Sequence, residues 1–264
     1  MRRFLTFFCG ADRLQATLDT AAGTTGLLIV TGGTEPRNGP RGVQSRLALD
    51  LAEAGIACFR FDRRGVGDSA GCDPGFDSMA PDLTAAVHAF RAACPNIQRV
   101  VAYGNCDAAT ALALFAGPGI NQLILSNIWL DMPADALPRR ALRQRMTRRL
   151  FAPGFWTSVW HHRQRLRQTF TDIMAAPSHV PLGDDAYALA EGLARFPGQI
   201  DILLAVDDLT ALRFDAAWSS RTFSLARARR DAQLHRLKTD SHSFVQDQAY
   251  ALLRQKLGDI LSRA

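Results

Sequence analysis

The stretch Arg99–Ala109, "RVVAYGNCDAA", changes character at its cysteine. Before Cys106 the chain is short, apolar and β-branched, which predicts a buried strand. After it, "DAATALALFAG" (Asp107–Gly117) predicts a helix. Gly104 and Ala108 stand two positions either side of Cys106. This is the pattern small-x-nucleophile-x-small of a sharp strand-to-helix turn. Bulky residues at the small positions would collide with the neighbouring strand and helix. A helix N-terminus beneath the sulfur favours a thiolate, and the Asp107 N–H can point at an oxyanion. A small buried core cysteine is the bland alternative, and the local stretch alone does not separate the two.

The surrounding pattern decides the fold. Short apolar runs alternate with amphipathic runs of helix length. "GLLIVTGG" (Gly26–Gly33), "IACFRFD" (Ile56–Asp62), "NQLILSN" (Asn121–Asn127), "QIDILLAVDD" (Gln199–Asp208) and "AQLHRLKTD" (Ala232–Asp240) read as strands. "VQSRLALDLAEAG" is a helix with Val43, Leu47, Leu51 and Ala54 on one face. "GFDSMAPDLTAAVHAFRAACP" holds another, beginning near Ser78 and ending before Pro95, and "SFVQDQAYALLRQKLGDILSRA" holds the last. Such alternation predicts an α/β fold, a mostly parallel sheet flanked by helices. Arg3–Phe8 and Leu14–Asp19 have no helix between them and predict an antiparallel hairpin at one edge. The section 131–197 breaks the rhythm. It contains "RRALRQRMTRRLF" and "HHRQRLRQTF" among Phe151, Phe155, Trp156 and Trp160, and reads as a helical cap inserted into a core of residues 1–130 and 198–264.

A nucleophile needs a base and an acid. The elbow template expects them in the order nucleophile, acid, histidine, with the acid after a later strand and the histidine in a loop near the end. Asp208 follows "ILLAV" and His242 lies in "KTDSHSF" before the final helix. Asp207 is the rival acid; Asp208 is preferred because it begins the loop beyond the strand. The glycine-rich "TGGTEPRNGPRG" after the first buried parallel strand lets a backbone N–H, of Gly33 or Thr34, complete an oxyanion hole with Asp107. A phosphate cradle is the other use of such a loop, but neither GK[ST] nor GxGxxG is present.

These residues bring a resemblance into view. "FDRRGVGDSAG" (Phe61–Gly71) matches the D-x-R-G-x-G-x-S loop common in the α/β-hydrolase superfamily. "RFDRRGVGDS", the cysteine elbow "GNCDAA" and "DLTA" at Asp208–Ala211 more narrowly resemble the exosortase A system-associated hydrolases, in the first of their two types. The resemblance spans the chain, more loosely in the cap. It implies a hydrolase-like protein encoded with bacterial exopolysaccharide and protein-sorting machinery, and it names no substrate. Cysteine departs from the superfamily's usual serine but agrees with the narrower family and with dienelactone hydrolases.

Other signals bound the function. The 264 residues are 47% hydrophobic, so a packed core is expected. No apolar run approaches the roughly 18 residues of a membrane span. The opening "MRRFLTFFCGADRL" is too short for a signal-peptide core with its cleavage site and reads as a strand, so a cytoplasmic location is expected. Five cysteines at irregular spacing, with no CxxC, suggest neither a zinc site nor a disulfide framework. The histidines His88, His161, His162, His179 and His235 show no metal-ligand spacing, so no metal and no cofactor are expected. The net charge of +6 is almost all arginine, with no nucleic-acid-binding motif, so no nucleic-acid partner is expected. The arginine-rich section has three readings: a solvated helical face, a receiver for an anionic acyl ester or thioester, or a surface that rests on anionic lipid with Trp156 and Trp160 at the interface. The functional expectation is an ester or thioester hydrolase. An acyltransferase using the same acyl-cysteine and a non-catalytic binding protein on a hydrolase scaffold are the competing readings.

Overall fold

The computed structural model describes residues 1–73, 75–131 and 182–263. Their strands are β1 (Arg2–Cys9), β2 (Asp12–Asp19), β3 (Thr25–Val30), β4 (Ala57–Phe61), β5 (Arg99–Asn105), β6 (Gln122–Ser126), β7 (Gln199–Ala205) and β8 (Ala232–Leu237). They form one sheet in the order β1-β2-β4-β3-β5-β6-β7-β8. β3 to β8 run parallel, and the β1–β2 hairpin pairs antiparallel with β4 at the edge. The helices are α1 (Val43–Glu53), α2 (Ala80–Ala93), α3 (Asp107–Phe115), α4 (Asp184–Arg195), α5 (Leu209–Trp218), α6 (Ser224–Ala228) and α7 (Asp247–Leu261). This is the α/β-hydrolase arrangement.

The strand interiors are apolar because both faces are covered. Successive side chains alternate between faces. Leu28, Val30, Phe59, Phe61, Val100 and Ala102 therefore join the core beneath α2 and α3, while Leu27, Ile29, Val101 and Tyr103 join the core beneath α1 and α7. Val43, Leu47 and Leu51 of α1 are buried as the periodicity predicts, but Ala54 is exposed. The helix stops at Glu53, and Gly55 turns the chain at φ 91°.

α1 and α3 cover opposite faces, so the chain leaves the neighbouring strands β3 and β5 in opposite directions. In such sheets the strand ends open into a crevice at that switch point. Val30 pairs beside Gly104, which brings the glycine loop after β3 against the turn after β5.

The segment 131–197 read as a cap is described only in part. Its residues 132–181, with both arginine-rich runs and Trp156, Trp160, His161, His162 and His179, lie outside the described residues. The described helix α4 packs on α3. Ala186, Leu189, Ala190 and Leu193 of α4 enter the main core. A Cβ on Gly192 would stand 2.3 Å from the Ala113 carbonyl oxygen, so the two helices approach backbone to backbone.

The loop after β4 is held by Asp62, which is fully buried. Its carboxylate pairs with the Arg37 guanidinium and accepts the N–H groups of Arg37 and Asp68. A Cβ on Gly67 would lie 2.4 Å from that carboxylate, so only glycine fits at this positive-φ position. Asp68 pairs with Arg37 at 2.9 Å, Arg63 with Asp73 at 2.7 Å and Arg64 with Asp82 at 2.8 Å. The D-x-R-G-x-G-x-S loop is thus a scaffold that ties the loop after β3 to the end of β4. Removing one partner of a buried pair strands the other charge. Asp62→Ala is expected to lower stability by about 3 kcal/mol, read as a lower urea midpoint. An unchanged midpoint would contradict this role.

Candidate active site

Cys106 sits between β5 and α3 at φ 61° and ψ −128°, a left-handed conformation that costs a non-glycine residue about 1–3 kcal/mol. Its neighbours make the turn possible. A Cβ on Gly104 would stand 2.8 Å from the backbone of Ala108 and 2.9 Å from Leu112, so strand and helix touch there without a side chain between them. The carbonyl of Cys106 accepts the N–H groups of Ala109 and Thr110, and its own N–H donates to Ser126. The sulfur is left at the start of α3, half-exposed.

Cys9, Cys58 and Cys94 are buried instead, and burial pushes each of their thiols upward. Such thiols are protonated and inert at neutral pH. Cys72 is exposed in the loop after β4.

Asp208 and His242 arrive from the far half of the chain. Asp208 is the N-cap of α5: its Oδ2 accepts the Ala211 N–H at 2.9 Å. The same Oδ2 lies 3.1 Å from His242 Nδ1. The distance is that of a hydrogen bond, but the ring N–H does not point along it, so the contact is a bent ion pair. The Cys106 thiol is close enough to the ring to act on its charge. Asp208, foremost, and Cys106 push the His242 pKa up to about 10, against a smaller opposing effect of burial. Asp207, the rival acid, is exposed, and its N–H donates to the Thr239 carbonyl.

Sequence reading missed a residue that aligns these groups. Asn127 is fully buried just past β6, at φ 43°. Its Nδ2 donates to the Asn105 side chain at 3.2 Å and to the His242 carbonyl at 2.8 Å, and its Oδ1 accepts the Ala205 N–H at 2.9 Å. One amide thus ties together the residue before the cysteine, the histidine loop and the end of β7. An asparagine closing an apolar strand, the residue type most tolerant of this conformation after glycine, was the available signal.

The cleft beside Cys106 measures 370 Å³. Phe76 and Trp129, edge to face with centroids 5.4 Å apart, make an apolar wall. Gly32, Gly33 and Glu35 also line the cleft, with Gln44, Asn105 and Asp107; Thr34 is exposed and is not among the described lining residues. Asp107 does not point outward as a simple helix-start residue. Both its carboxylate oxygens accept the Gly33 N–H, at 2.9 and 2.8 Å.

Elsewhere, His235 Nε2 meets Asp201 Oδ1 at 2.7 Å, and the other oxygen of Asp201 accepts from Gln122 and Gln199. This second histidine–carboxylate pair is a structural tie across the sheet. His88 is exposed on α2. Among the described residues, no group of three or more His, Cys, Asp or Glu side chains is placed to hold a metal ion, and no helix is long and apolar enough to cross a membrane.

Solved structures share the fold. An α/β hydrolase, GrgF from Penicillium sp. sh18, is 17% identical with a TM-score of 0.65, and the match covers 100% of this chain and 98% of that one. The Pyrococcus furiosus esterase Pf2001 is 13% identical with a TM-score of 0.65, over 100% of this chain and 90% of that one. Est1E from Butyrivibrio proteoclasticus, solved with ferulic acid bound, is 16% identical with a TM-score of 0.62, over 98% of both chains. The chain therefore has the α/β-hydrolase fold. No family model and no curated protein matches its sequence.

Two outcomes follow from the geometry. Glycine relieves the strain at position 106, so Cys106→Gly is expected to be more stable than Cys106→Ala by about 1 kcal/mol in urea denaturation; equal stabilities would deny the strain. The pKa of His242 is raised above its unfolded value near 6.5. Its contribution to stability is therefore fully present below about pH 6.5 and is lost as pH rises through about 10. The stability gap between the protein and His242→Gln should shrink between pH 6 and pH 10.5, and a constant gap would contradict the pairing.

Proposed function

We propose that the protein is a hydrolase that cleaves a carboxylic ester or thioester through an acyl-cysteine on Cys106. The observation that carries this reading is the convergence of Asp208, His242 and Cys106 from three distant segments onto one cleft. The esterases among the fold neighbours support it. The sequence resemblance to exosortase-associated hydrolases further suggests work alongside bacterial exopolysaccharide systems.

The chemistry follows from the charges. With His242 pushed up to about 10, the imidazolium form prevails at neutral pH, and Asp208 stabilises it. The group that attacks is the Cys106 thiolate, with its proton held on His242. The thiolate attacks the carbonyl carbon, and the carbonyl π-electrons move to oxygen. The oxyanion is held by the Asp107 N–H, one of the orphan donors of the first helical turn, and by the Gly33 N–H when it is free. Collapse expels the alkoxide or thiolate, which takes its proton from His242. Neutral His242 then accepts a proton from water as it attacks the acyl-cysteine. The acid is released and the thiolate–imidazolium pair is restored.

Incubation with a panel of p-nitrophenyl esters and acyl-CoA thioesters, followed by intact-protein mass measurement, is expected to show an acyl adduct that disappears in Cys106→Ala. Cys106→Ser is expected to lower kcat/KM at pH 7.5 by about 100-fold or more, because a serine hydroxyl needs a neutral histidine to take its proton. No adduct and no turnover across the panel, in folded protein, would refute the proposal, as would a serine variant of full activity.

A further inference from the structure

Asp107 is oriented in a way its place at the helix start does not require. Its carboxylate is held by the Gly33 N–H through both oxygens, and Oδ1 also accepts the Ala108 N–H at 3.0 Å. The backbone of Gly32 makes room for it, since a Cβ there would stand 2.0 Å from Oδ1. Gly33 is the donor on which the second half of an oxyanion hole depends. A carboxylate and a developing oxyanion are like charges that compete for this one N–H. An acyl group with no charge of its own meets that competition in full.

The rest of the cleft shows what would relieve it. Glu35 lines the same cleft as Gly33. Gln44 also lines the cleft; it is 7% exposed, and among the described residues its buried Oε1 has no hydrogen-bond donor. Buried acceptors of this kind are normally satisfied. Among the described lining residues there is no lysine or arginine. Apart from His242, this lining offers acceptors and negative charge, the reverse of what an anionic substrate needs.

We propose that Asp107 is the specificity-determining residue of this site, and that it selects acyl groups carrying a protonated amine next to the ester or thioester carbonyl. The inference rests on the hydrolase reading and names its substrate class: aminoacyl esters or thioesters. The ammonium group pairs with the Asp107 carboxylate and draws it off Gly33, and the freed N–H takes the oxyanion. Glu35 and the Gln44 oxygen accept the remaining ammonium protons. A neutral acyl chain supplies no such partner and leaves the donor occupied.

The test compares alanyl and isobutyryl thiobenzyl esters, which differ by an ammonium in place of a methyl. Turnover and the mass adduct on Cys106 are followed in the native protein, Asp107→Ala and Asp107→Asn, each checked for folding by its urea midpoint. The native protein is expected to favour the alanyl ester by about tenfold or more. Asp107→Ala vacates the Gly33 donor and is expected to raise the isobutyryl rate, by roughly 100-fold if the whole value of one oxyanion donor is recovered. Asp107→Asn keeps the shape without the charge and is expected to lose the alanyl preference. Equal rates for the two esters in the native protein, with adducts on Cys106, overturn this inference and leave the hydrolase reading standing. So does an alanyl preference that survives in both variants. A folded native protein and variants that form no Cys106 adduct with either ester overturn both.

Discussion

A cysteine forced into a left-handed turn is the constraint around which the molecule is arranged. Such a turn does not persist unless its surroundings hold it. Here β5 is paired on both sides, by β3 and β6, and α3 is packed into the main core immediately after the turn. The missing side chain at Gly104 and the single methyl at Ala108 let strand and helix close to contact. The strain is the structural cost of lifting a sulfur out of a sheet whose other thiols are buried, and of setting it at the positive end of a helix.

Charge does the remaining work, and it is finely opposed. His242 is pulled toward its protonated form by Asp208 and Cys106, while the carboxylate of Asp107 turns to the Gly33 N–H in the same cleft. Pair geometry alone does not make such a site. His235 and Asp201 lie closer to each other than His242 and Asp208 do, yet Asp201 is saturated by two glutamine amides and the pair belongs to the sheet. What distinguishes His242 is its position between an acid and a half-exposed thiol at the mouth of a cleft.

Much of this was legible in the chain. The strands stood out because a doubly covered sheet demands unbroken apolar runs, and the order Cys106, Asp208, His242 followed from where strands end. The choice between Asp207 and Asp208 was harder, because neighbouring residues at a strand end look alike until the cap of α5 is placed. The helix Asp184–Arg195 was read with the arginine-rich section before it. Its spacing of Ala186, Leu189, Ala190 and Leu193 marks a buried face without saying what covers it. The inward turn of Asp107 is a matter of rotamer and of Gly33 lying opposite, and neither is written in local sequence. The asparagine that closes β6 hinted at a special conformation, but not at its role, because the three partners of Asn127 come from segments 22 to 115 residues away.

That single amide has a mechanical consequence. Because Asn127 grips the approach to the cysteine, the histidine loop and the end of the acid's strand at once, a tilt or slide of β6 carries all three anchors in the same direction. Thermal motion of the sheet then moves Cys106, His242 and Asp208 as one body and leaves the separations among them nearly unchanged. The glycine loop and the aromatic wall lie outside this grip, so adjustment to different ligands falls to the rim of the cleft and not to the floor that carries Cys106 and His242.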